Sequence, residues 1–161
     1  FEGFCQAREE FGLGSVIEYY DGAHHENGAY EALCERLKCP NIPTAIFAED
    51  EMGAFGALRA LSDAGLRVPE DIALVGFDDV VPPGLDDLGL TTMAQDFDGI
   101  GKTAGSLILR RMADPSATFV SEVFPARLVI RHSSLGYAPS SLPPVPASAP
   151  RTRRALASVS P

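Results

Sequence analysis

The sequence has only three cysteines and no tryptophan among 161 residues, and it lacks the patterns of a disulfide framework, a signal sequence and a membrane span. Cys5, Cys34 and Cys39 lack the spacing of a metal site, and an odd count cannot pair completely, which favours free thiols in a reducing cytoplasm. No apolar run approaches the roughly 18–20 residues of a membrane span, and the first residues show no basic and apolar signal pattern. We therefore expect a cytoplasmic protein without membrane contact.

The chain also lacks the short motifs on which many α/β enzymes depend. No G-x-G-x-x-G or P-loop follows a strand-like segment, and Gly99, Gly101 and Gly105 fall at the start of or inside a helical pattern with acids around them. Neither a G-x-S-x-G elbow nor a Ser/His/Asp arrangement is evident. We therefore expect no nucleotide cofactor and no enzymatic activity.

Basic residues are scarce, and the formal net charge is −9. Three of the 13 basic residues, Arg151, Arg153 and Arg154, lie in a Pro/Ser/Ala-rich stretch without acids, so the preceding body is more acidic still. Such a body should repel nucleic acid. Because the stretch has too few large apolar residues to offset the entropy of ordering it, we expect a folded part over residues 1–135 and a mobile tail over 136–161.

What is present is an alternation of apolar segments with strand and helix character. This alternation predicts an α/β fold built on a doubly wound parallel sheet. The fourth helix should turn its apolar stripe toward the core, and the third should end at a left-handed glycine. We expect strands over 15–20, 45–48, 72–77, 90–97, 119–124 and 126–131, of which the second should be covered on both faces. The first helix should end at Gly12, and the second should carry Tyr30, Leu33, Cys34 and Leu37. The third should carry Ala54, Leu58 and Leu61 and end at Gly65, and the fourth should carry Phe97, Ile100, Ala104, Leu107 and Ile108.

Acidic residues follow two successive predicted strands, at 49–51 and 78–79. Ligands of open parallel sheets bind at the carboxyl ends of the strands, so these acids are candidate site residues. A metal site is disfavoured because neighbouring strand residues point to opposite faces, and catalysis lacks a partner nucleophile. The favoured interpretation is a carboxylate that accepts hydrogen bonds from the hydroxyls of a polyol while an aromatic ring covers its apolar side.

Each candidate also has a structural interpretation. Asp50 and Asp78 can cap helices or turns, which is compatible with ligand binding. Phe97 can be the first core residue of its helix. His24 and His25 follow the first strand, where they can reach a ligand or face water, and the sequence leaves both alternatives open.

Three strings carry a resemblance that covers roughly residues 1–134: PTAIFAEDEMGAFGALRALSDAGLRVPEDIALVGFDD, LTTMAQDFDGIGKTAGSLIL and LVIRHSS. They resemble the C-terminal part of the effector-sensing domain of LacI/GalR transcriptional regulators. The resemblance implies a periplasmic-binding-protein-like sensor of two subdomains with a sugar or similar small polar metabolite between them. It also implies a repressor that binds operator DNA as a homodimer through an N-terminal helix-turn-helix, which is absent from this chain together with most of the N-terminal subdomain.

Position by position, the resemblance implies four ligand-binding residues. Asp78 matches the carboxylate that holds ligand hydroxyls, and Asp50 matches the Asn or Asp that ends the preceding strand. Phe97 matches the contact after L-T-T, and His24 falls near another pocket position. No metal ligand is implied.

The resemblance further places subunit contacts at Phe55 and in the loop with Pro82 and Pro83. One departure concerns the ligand: many relatives have Asn-Asp where this chain has Asp50 and Glu51, and the extra acid leaves a basic or amine-bearing effector open. Two other functions share the expected fold, a periplasmic sugar-binding protein of an uptake system and an enzyme on a doubly wound sheet.

Overall fold

The computed structural model describes residues 2–12, 24–80 and 89–135. The chain divides into two units, Phe1–Val16 with Ala138–Pro161, and Ile17–Tyr137. The expected strand over 15–20 and the expected tail over 136–161 lie outside the described residues.

The first unit contributes one described element, helix α1 (Glu2–Glu10), which is followed by a turn at Gly12 as expected. No helix within the described ranges is both long and apolar enough to cross a membrane. The second unit contains α2 (Glu26–Leu37), β1 (Ala45–Phe47), α3 (Glu51–Asp63), β2 (Ala73–Asp78), β3 (Thr91–Ala94), α4 (Phe97–Ala113), β4 (Arg127–Val129) and a short 3₁₀ helix (His132–Ser134).

The four described strands form one sheet in the order β1-β2-β3-β4. The first three are parallel, which confirms the predicted α/β class with a parallel sheet, and β4 runs antiparallel to β3. The register pairs Ala45 with Ala73 and Val75 with Thr91. Because three neighbouring strands point the same way, the segments that follow them emerge at one edge of the sheet.

Two expectations about strands are wrong. Residues 119–124 form no strand, and in this region only Arg127–Val129 pairs with the sheet. Strand β1 is not covered on both faces, since Phe47 is 44% exposed. Among the described strands β1 lies at the end of the sheet, so it has a strand neighbour on one side only.

Helix α3 begins and ends as its sequence predicts. The Asp50 side chain caps the first turn by accepting from the backbone N–H of Gly53 at 2.6 Å. At the other end Gly65 adopts a φ of +72°, a backbone conformation that costs glycine little. The N–H of Leu66 then donates to the carbonyl of Leu61 at 2.9 Å, which closes a Schellman cap.

The core lies between helices α2 and α3 and the sheet. Leu61, Ile72 and Leu74 are fully buried, and burial of each such side chain contributes about 1.5–3 kcal/mol to folding. The α3 face that meets this core is largely alanine, which brings the helix close to β2. The buried apolar residues of this cluster are Leu33, Ala48, Ala54, Ala57, Ala60, Leu61, Ile72, Leu74 and Leu90.

Close backbone approach and polar contacts fix α2 against α3. A Cβ on Gly56 would overlap the carbonyl oxygen of Glu26 and would lie 2.8 Å from the backbone nitrogen of Tyr30. Arg59 pairs with Glu26 at 2.6 Å and stacks over the Tyr30 ring at 3.9 Å. The Tyr30 hydroxyl donates to Asp63 at 2.9 Å. The start of α2, and with it the preceding residues His24 and His25, is thereby held beside α3.

The expected burial of the α4 stripe is wrong for the described structure. None of the α4 residues is buried within the described ranges, and Phe97 and Ile108 are 47% and 61% exposed. The helix instead packs against the chain that follows it. Its C-terminal turns and residues 117–120 enclose a groove of about 270 Å³.

We expect Gly56→Ala to lower the free energy of unfolding by about 1–3 kcal/mol, because the new methyl group overlaps the α2 backbone. Urea unfolding followed by circular dichroism measures this change. Gly101→Ala is the matched control: nothing lies within 4 Å of a Cβ there, so it should be neutral or stabilise by up to about 1 kcal/mol. Equal effects of the two substitutions would contradict the close helix contact.

Candidate functional site

The parallel strands β1 and β2 end at the same edge of the sheet, and acidic residues lie at both ends. Phe47 pairs with Val75, Asp50 follows β1 after two further residues, and Asp78 is the last residue of β2. Asp78 in turn pairs with Ala94, just before the β3–α4 connection. The edge defined by Asp50, Asp78 and residues 94–97, here called the strand-end edge, is therefore where the candidate residues lie.

The two carboxylate oxygens of Asp50 make different contacts, one within the cap of α3 and one with a side chain at the strand-end edge. Oδ1 accepts from Gly53, while Oδ2 lies 3.4 Å from Nδ1 of His24. The same nitrogen lies 3.4 Å from Oε1 of Glu49, and the His24 side chain is 74% exposed. The structure thus brings His24 to Asp50. The neighbouring His25 instead caps α2, with its Nδ1 accepting from a backbone N–H at 2.9 Å.

Asp78 ends β2 in an unusual backbone conformation. Its φ is +84° and that of Asp79 is +62°, a left-handed region that non-glycine residues rarely adopt. Gln95, at the start of the β3–α4 connection, donates a hydrogen bond from Nε2 to Oδ1 of Asp78. This contact orients the Asp78 carboxylate, and sequence reasoning did not predict it.

Asp79 is engaged by Arg131, which follows β4. The two guanidinium nitrogens Nη1 and Nη2 contact the two carboxylate oxygens, and Nη1 also donates to the carbonyl of Leu90 at 2.9 Å. The Asp79 carboxylate raises the pKa of Arg131 further above its ordinary value. Asp79 is therefore a structural partner of a cation. Within the described ranges no group of three or more His, Cys, Asp or Glu side chains is arranged to hold a metal ion.

Glu51 is a buried carboxylate beside this pair. It is 7% exposed and accepts a hydrogen bond from the backbone N–H of Val80. Burial raises its pKa, the negative charges of Asp79 and Asp78 add to the rise, and the Val80 N–H and Arg131 oppose it. Sequence reasoning noted Glu51 only as an extra acid, and its position directly after a helix cap was the available signal.

The L-T-T and L-V-I-R-H-S-S strings are joined by buried hydrogen bonds. The N–H of Thr91 donates to Oγ of Ser133 at 2.8 Å, and that hydroxyl donates to the carbonyl of Leu74 at 2.6 Å. The Thr91 hydroxyl donates to the carbonyl of Arg131 at 2.9 Å and lies 2.7 Å from Oγ of Ser134. These contacts fix Arg131 next to the end of β2.

Phe97 begins α4 directly after the cap residue Asp96, whose side chain accepts from Gly99 at 2.9 Å. Its ring is about half exposed, and it lies two residues beyond Gln95 on the connection that reaches Asp78. Phe55 is half-buried on α3. A role for it in subunit contact stays a prediction, and Pro82 and Pro83 lie outside the described residues.

The chemistry of the strand-end edge is that of an acceptor surface. Oδ2 of Asp50, the Glu49 carboxylate and Asp78 can accept from hydroxyl or amine donors, and His24 can donate or accept. Phe97, whose ring is about half exposed, begins α4 at the same edge and is the available apolar group there. Such a combination suits a small molecule with several polar hydrogens.

Comparison with known proteins agrees with this fold. The family described as "Periplasmic binding protein-like domain" matches residues 1–134. The HTH-type transcriptional repressor PurR of Pasteurella multocida (strain Pm70) is 34% identical over 135 residues, which cover 83% of this chain and 40% of that repressor. The chain therefore spans about two fifths of the length of this relative.

Solved structures of regulators have the same fold. A LacI family transcriptional regulator from Enterococcus faecalis V583 with bound ribose superposes with a TM-score of 0.65 at 33% identity, covering 83% of this chain and 47% of that one. A LacI family transcriptional regulator from Arthrobacter sp. FB24 in complex with lactose superposes with a TM-score of 0.59 at 32% identity, covering 69% of this chain and 42% of that one.

This chain belongs to the periplasmic binding protein-like domain family, and the resemblance of its motifs to LacI-type regulators is confirmed. The relatives described above are a transcriptional repressor and two LacI family transcriptional regulators.

We expect Glu51→Gln to change how stability depends on pH. Because the folded-state pKa of Glu51 is raised, the stability linked to its proton is fully present below the ordinary Glu pKa and is lost as pH rises through the folded value. The substitution removes this loss and keeps an oxygen that can accept from Val80. Relative to wild type, the Glu51→Gln protein should therefore gain stability from pH 4 to pH 7.

Urea unfolding at several pH values measures this difference. Asp71→Asn is the contrasting control: the Arg67 hydrogen bond lowers the pKa of Asp71 to about 2, so its contribution is present above the ordinary Asp pKa and is lost as pH falls toward 2. A Glu51→Gln curve parallel to wild type from pH 4 to pH 7 would show that the Glu51 carboxyl does not titrate abnormally.

Proposed function

We propose that this chain is the effector-sensing portion of a LacI-type DNA-binding transcriptional regulator, a repressor. The observation that supports this most directly is the contact of His24 with Asp50, at the same strand-end edge as Asp78, in a fold shared with sugar-bound regulators. The effector is a sugar or similar small polar metabolite. Neither catalysis nor a cofactor is needed for this role.

The ligand contacts follow from the chemistry of the edge. Asp78 accepts hydrogen bonds from ligand hydroxyls, and charge-assisted bonds of this kind are stronger than neutral ones. Asp50 contributes Oδ2, His24 adds a ring nitrogen, and Phe97 covers an apolar ring face. Ribose and lactose in the two related structures are ligands of this chemical class.

The regulatory logic is a shift between two subdomain orientations. An effector that contacts both subdomains in only one orientation increases the population of that orientation. The chain spans about two fifths of the length of its repressor relative, and we place the second subdomain and the DNA-binding segment in the remainder. In the complete protein we place homodimer contacts at Phe55, Pro82 and Pro83, and we place the protein in the cytoplasm.

A periplasmic sugar-binding protein would use the same fold and edge. The described relatives favour regulation, because they are repressors and transcriptional regulators.

We expect Asp78→Asn to weaken binding of a sugar by about 1–3 kcal/mol, because it replaces a charged acceptor with a neutral one. Isothermal titration of D-ribose and lactose into the full chain measures the affinity. Asp71→Asn is the matched control, since Asp71 pairs with Arg67 before the opposite end of β2. Unchanged affinity in the Asp78→Asn protein would remove Asp78 from the site.

The regulatory part has a separate test. In a complete regulator that carries this chain, addition of the bound sugar should change operator affinity in a gel-shift titration. Operator binding that is indifferent to D-ribose, lactose and cellobiose would contradict sensing of these sugars, and turnover of a sugar that Asp78→Asn abolishes would indicate an enzyme.

A further inference from the structure

The turn after β2 combines two unfavourable features. Asp78 and Asp79 are consecutive non-glycine residues with positive φ, a conformation that persists only where surrounding contacts determine it. The turn also gathers negative charge, since Asp78 and Asp79 are adjacent, Glu51 accepts from the N–H of Val80, and the two aspartates contribute to the raised pKa of Glu51. Left to itself, this turn would relax its backbone and move the carboxylates apart.

Arg131 opposes both tendencies. Its two-point contact fixes the Asp79 carboxylate in position and orientation, and its additional bond to the Leu90 carbonyl ties that contact to the sheet. Its charge offsets part of the carboxylate repulsion. Lysine could supply the charge, but it could not reproduce the planar two-point geometry.

Glu51 holds the other end of the turn. Its carboxylate accepts from the N–H of Val80, the residue directly after the two left-handed positions. Glu51 belongs to the first turn of α3, so it reaches the turn from a different element than Arg131 does. The turn is therefore held from two sides.

We propose that Arg131 and Glu51 are positioning residues that hold the turn at residues 78–80 and thereby keep the Asp78 carboxylate at the strand-end edge. Because Arg131 is bonded to Asp79 and to the sheet, it influences a ligand indirectly, through the position of the Asp78 carboxylate. The role of Asp78 in ligand binding rests on the proposed function. The hold on the turn does not, and it can be tested without a ligand.

The ligand-free test is nuclear magnetic resonance of the full chain. In wild type, Asp78 and Asp79 should show the strong intraresidue HN–Hα cross-peaks of positive φ, and the Val80 amide should exchange slowly. Arg131→Gln should weaken both cross-peaks and speed Val80 exchange about tenfold, and Arg131→Lys should restore part of each. Glu51→Ala should speed Val80 exchange similarly, whereas Glu51→Gln, which keeps an acceptor oxygen, should not.

Arg67→Gln is the matched control. Arg67 also makes a two-point contact with an aspartate, Asp71, but this pair precedes the opposite end of β2. The proposal requires the turn signals to be unchanged in this variant. The proposal would be overturned if the cross-peaks and the Val80 exchange rate were unchanged in Arg131→Gln. It would also be overturned if they changed equally in Arg131→Gln and Arg67→Gln while urea unfolding gave the two variants the same stability.

The ligand arm uses D-ribose as the probe, measured by isothermal titration. Arg131→Gln should weaken its binding about tenfold, Arg131→Lys less, and Arg67→Gln not at all. If wild type does not bind D-ribose, that result counts against the proposed sugar site, and the turn signals alone decide the positioning role. If D-ribose binds wild type and Arg131→Gln equally, positioning of the ligand contact is wrong.

Discussion

The parallel register of β1, β2 and β3 is the constraint on which the site depends. Parallel strands that are joined by crossover helices end at one edge, which places Asp50 after β1 and Asp78 at the end of β2 on the same side of the sheet. His24 reaches this edge through the helix pair α2–α3, because the close contact at Gly56 holds the start of α2, which His24 precedes, beside the start of α3 at Asp50. A shift of one residue in the β1–β2 register would place side chains that now share a face of the sheet on opposite faces.

Charge compensation is the second requirement of this edge. Several carboxylates near one another are costly, and the structure distributes them among different partners. Asp50 caps a helix, Asp78 accepts from Gln95, Asp79 pairs with Arg131, and Glu51 accepts from a backbone N–H. These partners hold the carboxylates in place, so the acceptor surface at the edge depends on the contacts behind it.

Features set by neighbouring residues could be predicted from the sequence. The cap at Asp50, the left-handed Gly65 and the parallel order of the sheet each follow from short patterns and were expected. Features that depend on distant partners were missed or wrong. The pairing of Asp79 with Arg131 joins residues far apart in the chain, and the apolar stripe of α4 has the helical period of a core face yet is not buried in the described structure.

The sequence by itself determined the local structure, the acidity of the strand ends and the membership of a family, because each is written in spacing and composition. Only the tertiary structure decided which acids face the strand-end edge and which serve as supports. Asp78 and Asp79 are adjacent and chemically identical. One is oriented by Gln95 at the edge, while the other is held by Arg131, because among the described residues the fold pairs a cation with Asp79 and an amide with Asp78.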